Sequence, residues 1–253
     1  MNTSKKYRLD QFLVEKHGYE SRSRARDAIL RGCISVDGSL AKKPSQTVLD
    51  DHTIGIDDPA GAYVSRAALK LVHALDASGL SVEGRIAVDL GASTGGFTQV
   101  LLERGAAHVF SIDVGHGQFH SSLEDNSKIT KIENLNVRNL THAELSNIHP
   151  DLLVSDLSFI SLKLALPPAL SLAANPALGI FLIKPQFEVG KDGLGSGGIV
   201  RDESLIEETV SDISNWMNDQ PHWSVTDIFP SPIQGGDGNK EFLMIARKEI
   251  RHE

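Results

Sequence analysis

The sequence predicts an α/β protein: a mostly parallel sheet wound on both faces, preceded by a small α+β unit. Three observations carry this. From residue 85 onward, short apolar runs of strand length alternate with helical stretches, the signature of strands joined by crossover helices. The first 43 residues instead read as two short helices and a hairpin. Charge divides in the same place. Residues 1–43 hold 10 Lys/Arg and 5 Asp/Glu, a net of +5, whereas residues 44–253 hold 15 and 28, a net of −13. Such a split suggests that one end meets a polyanion while the rest does other work.

The length of 253 residues suits one mid-sized domain plus a small one. With 40% apolar and 23% charged residues the chain is an ordinary globular one, neither disordered nor collagen-like. The single cysteine, Cys33, excludes a disulfide within the chain and any multi-cysteine metal site. The polar start, Met1 to Lys6, shows no secretory signal. The expectation is therefore a soluble, cytoplasmic protein.

Taking the elements in order, Leu9, Phe12 and Leu13 recur at helical spacing until His17-Gly18 closes the helix. Ser21 is a plausible N-cap for a second helix from Arg22 to Arg31, with an apolar stripe of Ala25, Ala28 and Ile29. Arg22 and Arg26 lie on one side of that stripe, Arg24 and Arg31 on the other. Gly32 can end this helix. A strand, Cys33 to Val36, then meets the hairpin signal Asp37-Gly38, and Lys42-Lys43-Pro44 lies beyond. Arginine suits phosphate because its planar fork donates two hydrogen bonds to one anion. A solvated basic face with no partner is the plainer alternative. Asp57 to Gly61 reads as a linker, so the domains are placed at 1–60 and 61–253.

In the second part, Ile86 to Leu90 is a buried strand that runs into Gly91-Ala92-Ser93-Thr94-Gly95-Gly96, followed by a helix with Phe97, Val100 and Leu101 on one face. Further strands are expected at 109–112, 129–132, 152–154 and 180–183. Ligands of such sheets bind at the carboxyl ends of the strands. The glycine loop lacks the Gly-Lys-Ser/Thr of a phosphate loop, and its glycines miss the spacing of a nicotinamide fingerprint. A third reading is an S-adenosylmethionine loop, in which Asp89 at the strand end enters a glycine turn that lets backbone approach the ligand. Asp113, 24 residues further on, is placed to accept hydrogen bonds from ribose hydroxyls. A packing turn with a solvated Asp113 is the alternative. One stretch has the length of a membrane span: Leu164 to Ile183 carries no charge, but Pro167, Pro168, Asn175, Pro176 and Gly179 would break a spanning helix. It reads as a short helix, a loop and a buried strand.

Two resemblances add to this. The run Arg8-Leu9-Asp10, Ser21 to Ala25 and Gly32 to Gly38 resembles the small S-four-like RNA-binding domain. Over nearly the whole chain, six blocks in order resemble the TlyA / haemolysin A-like family. They are Tyr63 to Arg66, Gly91 to Thr98, Asp113 to Gly115, Asp156 to Leu162, Lys184 to Gly190 and Gly238 to Phe242. That family joins an S-four-like domain to an FtsJ-type methyltransferase domain with a Rossmann-like fold. Its members methylate ribose 2′-hydroxyls of ribosomal RNA.

The resemblance implies a catalytic tetrad at Lys70, Asp156, Lys184 and Glu241, read as residues that end four elements. A ribose hydroxyl needs a base as it attacks a methyl group, and a lysine serves if desolvation or a second ammonium lowers its pKa. Lys184, after the apolar strand 179–183, is the expected base, with Lys70 supplying the neighbouring charge or orienting the ribose, and Asp156 and Glu241 aligning the two. Pro185 favours an extended backbone at Lys184. S-adenosylmethionine is the expected cofactor, held by Asp89, Gly91, Ser93, Gly95, Gly96 and Phe97, with Asp113 on the ribose and the Asn136 side-chain oxygen on adenine. Arg8, Arg22, Arg24, Arg26, Arg31, Lys42, Lys43 and Arg66 are the expected contacts to ribosomal RNA or a ribosomal subunit. The spacing of His116 and His120 could suggest a metal pair, but no third ligand is in view and no metal is expected.

The chain departs from the family at Ala67-Ala68, where two glycines are usual, and at His116, where tyrosine is usual. The main alternative is a non-catalytic RNA-binding or assembly factor on a methyltransferase scaffold. A small-molecule methyltransferase would leave the arginine-rich unit unused, and a membrane-lytic toxin lacks an unbroken apolar segment.

Overall fold

In the computed structural model, residues 5–249 are described, and the chain divides into two compact units between Ala62 and Tyr63. The polar residues 1–4, part of the stretch that shows no secretory signal, lie outside the described residues.

The first unit runs β1 (Lys6–Arg8), α1 (Leu9–His17), α2 (Arg22–Leu30), β2 (Ile34–Val36), β3 (Ser39–Leu40), β4 (Thr47–Leu49) and β5 (Ile54–Ile56). Gly18, at φ 75°, ends α1 and donates its N–H to the Leu13 carbonyl. Ser21 caps α2 by accepting from the Arg24 N–H at 3.3 Å. Asp37 and Gly38 both take positive φ, as a two-residue hairpin turn requires. Leu9, Phe12 and Leu13 bury against Ala25, Ala28 and Ile29. Two small sheets close the unit, β1 against β4 and β2 between β3 and β5.

The second unit contains α3 (Ala68–Ser78), β6 (Ile86–Leu90), α4 (Gly96–Glu103), β7 (His108–Ile112), α5 (Ser121–Glu124), β8 (Ile129–Ile132), β9 (Leu152–Ser155), α6 (Leu162–Ala165), α7 (Pro167–Leu172), β10 (Ala177–Ile183), α8 (Glu203–Asn218), β11 (Trp223–Pro230) and β12 (Phe242–Lys248). The sheet order is β11-β12-β10-β9-β6-β7-β8. The five strands from β6 to β10 are parallel, and β12 slots antiparallel between β10 and β11. One face is covered by α3 and α4 through Leu71, Leu75, Phe97 and Leu101. The other is covered by α6, α7 and α8 through Leu162, Leu170, Ile213 and Met217. Every residue of β10 is buried, which accounts for its unbroken apolar sequence. The uncharged stretch 164–183 thus divides into the end of α6, α7 and β10, with Pro167 at the first turn of α7. Among the described residues no helix is long and apolar enough to cross a membrane.

The strand order reverses between β6 and β9, and this switch point fixes where a ligand can sit. The glycine loop follows β6, and Asp156 follows β9 directly.

Candidate active site

Four charged side chains meet at this end of the sheet. Asp156 and Lys184 follow the carboxyl ends of β9 and β10, and Glu241 precedes β12. Because β12 is antiparallel, its start lies beside the end of β10, with Phe242 opposite Ile183. Lys70 comes from above the sheet. The expectation that Lys70 and Glu241 end elements is corrected: Glu241 stands just before the start of β12, and Lys70 lies in the first turn of α3, whose apolar face carries it into the core beside Ala68 and Leu71. Lys70 Nζ lies 3.1 Å from Asp156 Oδ2 and 2.8 Å from Glu241 Oε2. Lys184 Nζ lies 2.6 Å from Asp156 Oδ1 and donates to Ser158 Oγ at 2.8 Å. Asp156 therefore bridges two ammoniums. Burial pushes its carboxyl up, yet Lys70 and Lys184 outweigh this and hold it below the usual carboxylate range. Lys184 has the extended backbone its following proline favours, φ −117° and ψ 97°.

Two cavities open on this cluster. The larger, about 860 Å³, is lined by Gly91, Ser93, Asp113, Asn136, Asp156 and Phe159 among others. The smaller, about 170 Å³, reaches Ser65, Ala67, Thr94 and Lys184. Gly91, Ser93, Asp156 and Ser158 line both. The larger has the volume of a nucleoside-sized ligand site, apolar walls from Val114, Leu135, Val137 and Leu164, and two carboxylates, Asp113 and Asp156, in its lining. Ser158 and Phe159 have no part in the sequence-based site. Phe159 holds φ 63°, is 91% exposed, and lies 5.0 Å from the Phe187 ring between centroids. Lys184 Nζ is 5.9 Å from the Phe187 ring centre. A bulky residue at positive φ is the one local signal that could have marked this loop, and it belongs to the backbone rather than to the sequence.

The cofactor residues expected from the sequence divide into those that face the larger cavity and those that support it. Asp113 faces it and knits the loops together: its Oδ2 accepts from the Ser93 N–H at 2.8 Å and its Oδ1 from the Gly115 N–H at 2.7 Å. Gly91 and Ser93 line it too. Asp89 does not. It is fully buried, and Oδ2 accepts from Thr98 Oγ1 at 2.7 Å. Burial pushes its carboxyl up to about 7 despite the bond from Thr98, with Asp156 and Asp113 adding in the same direction. Asp89 is a support under the loop. Gly95 is corrected as well. At φ 92° it favours glycine, and an added Cβ would meet Leu123 at 2.7 Å and Phe119 at 2.9 Å, so the missing side chain admits helix packing, not ligand. Gly96 also lies close to Ser65, whose Cβ an added Cβ would meet at 3.0 Å, and it lines the smaller cavity. Phe97 is a core residue whose edge lines the smaller cavity. Asn136 lines the larger cavity, but its Oδ1 already accepts from the Arg138 backbone N–H at 3.1 Å and from Arg138 Nε at 3.3 Å. The oxygen assigned to adenine is a cap, and the amide nitrogen is the group left for a ligand. His116 pairs with Glu133 at 3.0 Å, and His120 caps α5.

In the first unit, the basic residues are not equivalent. Arg8 and Arg22 both clasp the buried Asp10, at 3.1 and 2.9 Å, with their side chains about half exposed. Arg24 pairs with Glu20 and donates to the Ala60 carbonyl at 3.2 Å. Arg31 is corrected from a phosphate contact to a structural residue: its guanidinium is largely buried and reaches Asp27, Asp58 and Cys33 Sγ. Arg26, Lys42 and Lys43 are exposed. Arg66, in the second unit, is half-buried.

A doubly wound sheet with a nucleoside-sized cavity at its switch point, beside paired lysines and carboxylates, defines the class: a Rossmann-like group-transfer enzyme fold. Residues 63–248 match the FtsJ-like methyltransferase model and residues 8–54 the S4 domain model. The chain belongs to the FtsJ-like methyltransferase family, in the branch that carries an S4 domain. It is 40% identical over 97% of its length, and 91% of the relative's, to "16S/23S rRNA (cytidine-2'-O)-methyltransferase TlyA" of Mycobacterium tuberculosis. To "Hemolysin A" of Brachyspira hyodysenteriae it is 38% identical, covering 93% and 98% of the two chains. A solved structure described as "Putative hemolysin from Streptococcus thermophilus" superposes with a TM-score of 0.76 at 35% identity, over 96% of this chain and 89% of that one.

Proposed function

We propose that the protein transfers a methyl group from S-adenosylmethionine to a ribose 2′-hydroxyl of ribosomal RNA. The observation that carries this is the buried Lys70–Asp156–Lys184–Glu241 cluster, whose Asp156 lines both cavities and whose Lys184 lines the smaller. The larger cavity fits the cofactor: Asp113 offers acceptors for a ribose diol, the apolar walls suit adenine, and Asp156 supplies negative charge toward a sulfonium. When bound there, S-adenosylmethionine supplies an electrophilic methyl group.

The protein's own residues do the rest. Lys184 Nζ, as its neutral amine, would take the proton of the 2′-hydroxyl as that oxygen attacks, and the cofactor would supply the methyl group. Asp156 aligns Lys184 and Lys70, and Glu241 holds Lys70 from its other side. Ser158 fixes Lys184 Nζ, the neutral amine when it acts as base, in the direction of the smaller cavity, which takes the target ribose. Holding nucleophile and methyl in line supplies much of the acceleration by proximity. Phe159, tilted at 50° against the Phe187 ring, offers an exposed aromatic face to an unpaired base. Arg26, Lys42 and Lys43, with the outer faces of Arg8 and Arg22, meet phosphate. Binding then weakens with salt, with a slope of roughly −0.7 to −0.9 per phosphate contacted. A cytoplasmic place follows from a ribosomal substrate.

The test is transfer of labelled methyl to ribosomal subunits and to stripped ribosomal RNA, with Lys184→Met alongside. The expected result is RNA that resists alkaline cleavage at one site, with the variant about 10²–10⁴-fold slower and unchanged in cofactor affinity. Cofactor binding without transfer to any RNA would instead favour the scaffold reading.

A further inference from the structure

Between Glu188 and Arg201 the chain forms a strap in which five of the eleven residues from 190 to 200 are glycine. It begins just beyond Phe187, which lines the larger cavity. Residues 195 to 198 are exposed and turn on themselves, Gly198 N–H to the Gly195 carbonyl and Gly195 N–H to the Ile199 carbonyl. A segment this rich in glycine loses much conformational entropy on ordering, so something must fasten it.

Both described hydrogen bonds that leave residues 194–200 end on one side chain. Asn239 Oδ1 accepts from the Val200 N–H at 3.0 Å, and Asn239 Nδ2 donates to the Gly198 carbonyl at 3.0 Å. Asn239 is itself 2% exposed. An amide is the side chain that can accept from one backbone group and donate to the next in this way. The backbone of Asn239 is engaged as well, since its carbonyl accepts from the Gly235 N–H at 3.0 Å and closes the turn 235–238. That turn presses on the catalytic cluster: a Cβ on Gly235 would lie 2.6 Å from Glu241 Oε1. Two residues beyond Asn239, Glu241 holds Lys70 at 2.8 Å.

We infer that Asn239 is a positioning residue that fastens the glycine strap and the Glu241–Lys70 pair in one arrangement, so that substrate RNA meets an ordered site only while the strap is fastened. The inference rests on the methyl-transfer reading for its kinetic consequences, though not for the fastening itself. It locates a contribution to turnover in a residue that touches neither cavity.

The experiment compares wild type, Asn239→Ala and Val200→Pro in the full chain. Val200→Pro removes the strap's donor and leaves Asn239 in place; Ile199 already has the extended backbone that precedes proline, φ −99° and ψ 127°. The readouts are S-adenosylmethionine affinity by calorimetry, cleavage by proteinase K mapped by mass spectrometry, and methyl transfer to ribosomal subunits and stripped ribosomal RNA. The expected result for Asn239→Ala is cleavage within 190–200 at least tenfold faster than wild type. Its kcat should fall at least tenfold and its KM for RNA should rise, with cofactor affinity within twofold. Val200→Pro should move every readout in the same direction by less, and it carries the test if Asn239→Ala does not fold. Unchanged cleavage in the strap, or faster cleavage with unchanged kcat and KM, would overturn the inference. If wild type transfers methyl to no RNA, the functional reading fails, and the cleavage comparison alone decides whether Asn239 fastens the strap.

Discussion

Asp156→Asn is the perturbation with the most to report, because one carboxylate serves two buried ammoniums. Its contacts of 2.6 Å to Lys184 and 3.1 Å to Lys70 correspond to gross attractions of about 6 and 5 kcal/mol at an effective dielectric of about 20. Most of that offsets the desolvation of the ions, and breaking a buried pair by removing one partner costs roughly 3–5 kcal/mol. Asparagine keeps an oxygen that can accept one hydrogen bond, so about 3 kcal/mol is expected. For a domain of this size that lowers the melting temperature by about 6–12 °C at pH 7.5. The pH dependence has a definite sign. Asp156 titrates below its ordinary value in the folded protein, so its contribution is fully present above the unfolded carboxylate pKa of about 3.9. It is lost as pH falls through the lower folded value. The gap between wild type and variant should hold from pH 8 to 5 and close only below about 4. Differential scanning calorimetry measures this, with methyl transfer in parallel. A variant that melts within 1 °C of wild type and transfers methyl within threefold would refute the claim that this bridge organises the site.

Two further substitutions probe carboxylates whose environments differ. Asp89 titrates near 7 in the folded protein because it is buried, so wild-type stability should fall as pH rises from about 4 through 7. Asp89→Asn should remove up to about 4 kcal/mol of that slope, and parallel melting curves for the two proteins from pH 5 to 8 would count against it. Asp10 behaves in the opposite sense: Arg8, then Arg22, hold it down to about 2 against the effect of burial. Both guanidiniums are about half exposed, so Asp10→Asn should cost only about 1 kcal/mol near neutral pH. That cost should vanish as the wild-type group protonates between pH 4 and 2, as followed by urea denaturation.

Much of the fold is legible in the sequence because buried parallel strands are written as apolar runs. The strand at 129–132 is only partly buried, whereas the elements at 86–90, 108–112, 152–155 and 177–183 follow from that rule. The last two strands do not. In β11 buried and exposed positions mix around a bulge between Val225 and Asp227, which breaks the alternation a hairpin strand should show. The loss of β12 from the sequence reading matters for the site, since its antiparallel direction is what brings Glu241 beside Lys184. The two-residue spacing of Arg8 and Asp10 is visible in the chain, whereas the union of Arg31 with Asp58, 27 residues away, is not. For the same reason the sequence cannot separate Arg31, a structural residue, from the exposed Arg26. A strand-end aspartate is equally ambiguous: Asp89 turns inward to Thr98 while Asp113 faces the cavity. Which way each points depends on the pleat and on the loop that follows.

The wall shared by the two cavities has a consequence for ligand design. Gly91, Ser93, Asp156 and Ser158 line both chambers, so the two adjoin. A single molecule that joins an adenosine to a second nucleoside through a short positively charged tether could occupy both at once. Once one half is seated, the other is confined near its chamber at an effective concentration in the millimolar range, so its affinity multiplies without any new contact. The tether would also carry its charge past Asp156. Such a compound would distinguish this enzyme from others that use the same cofactor, because only half of it resembles what they share.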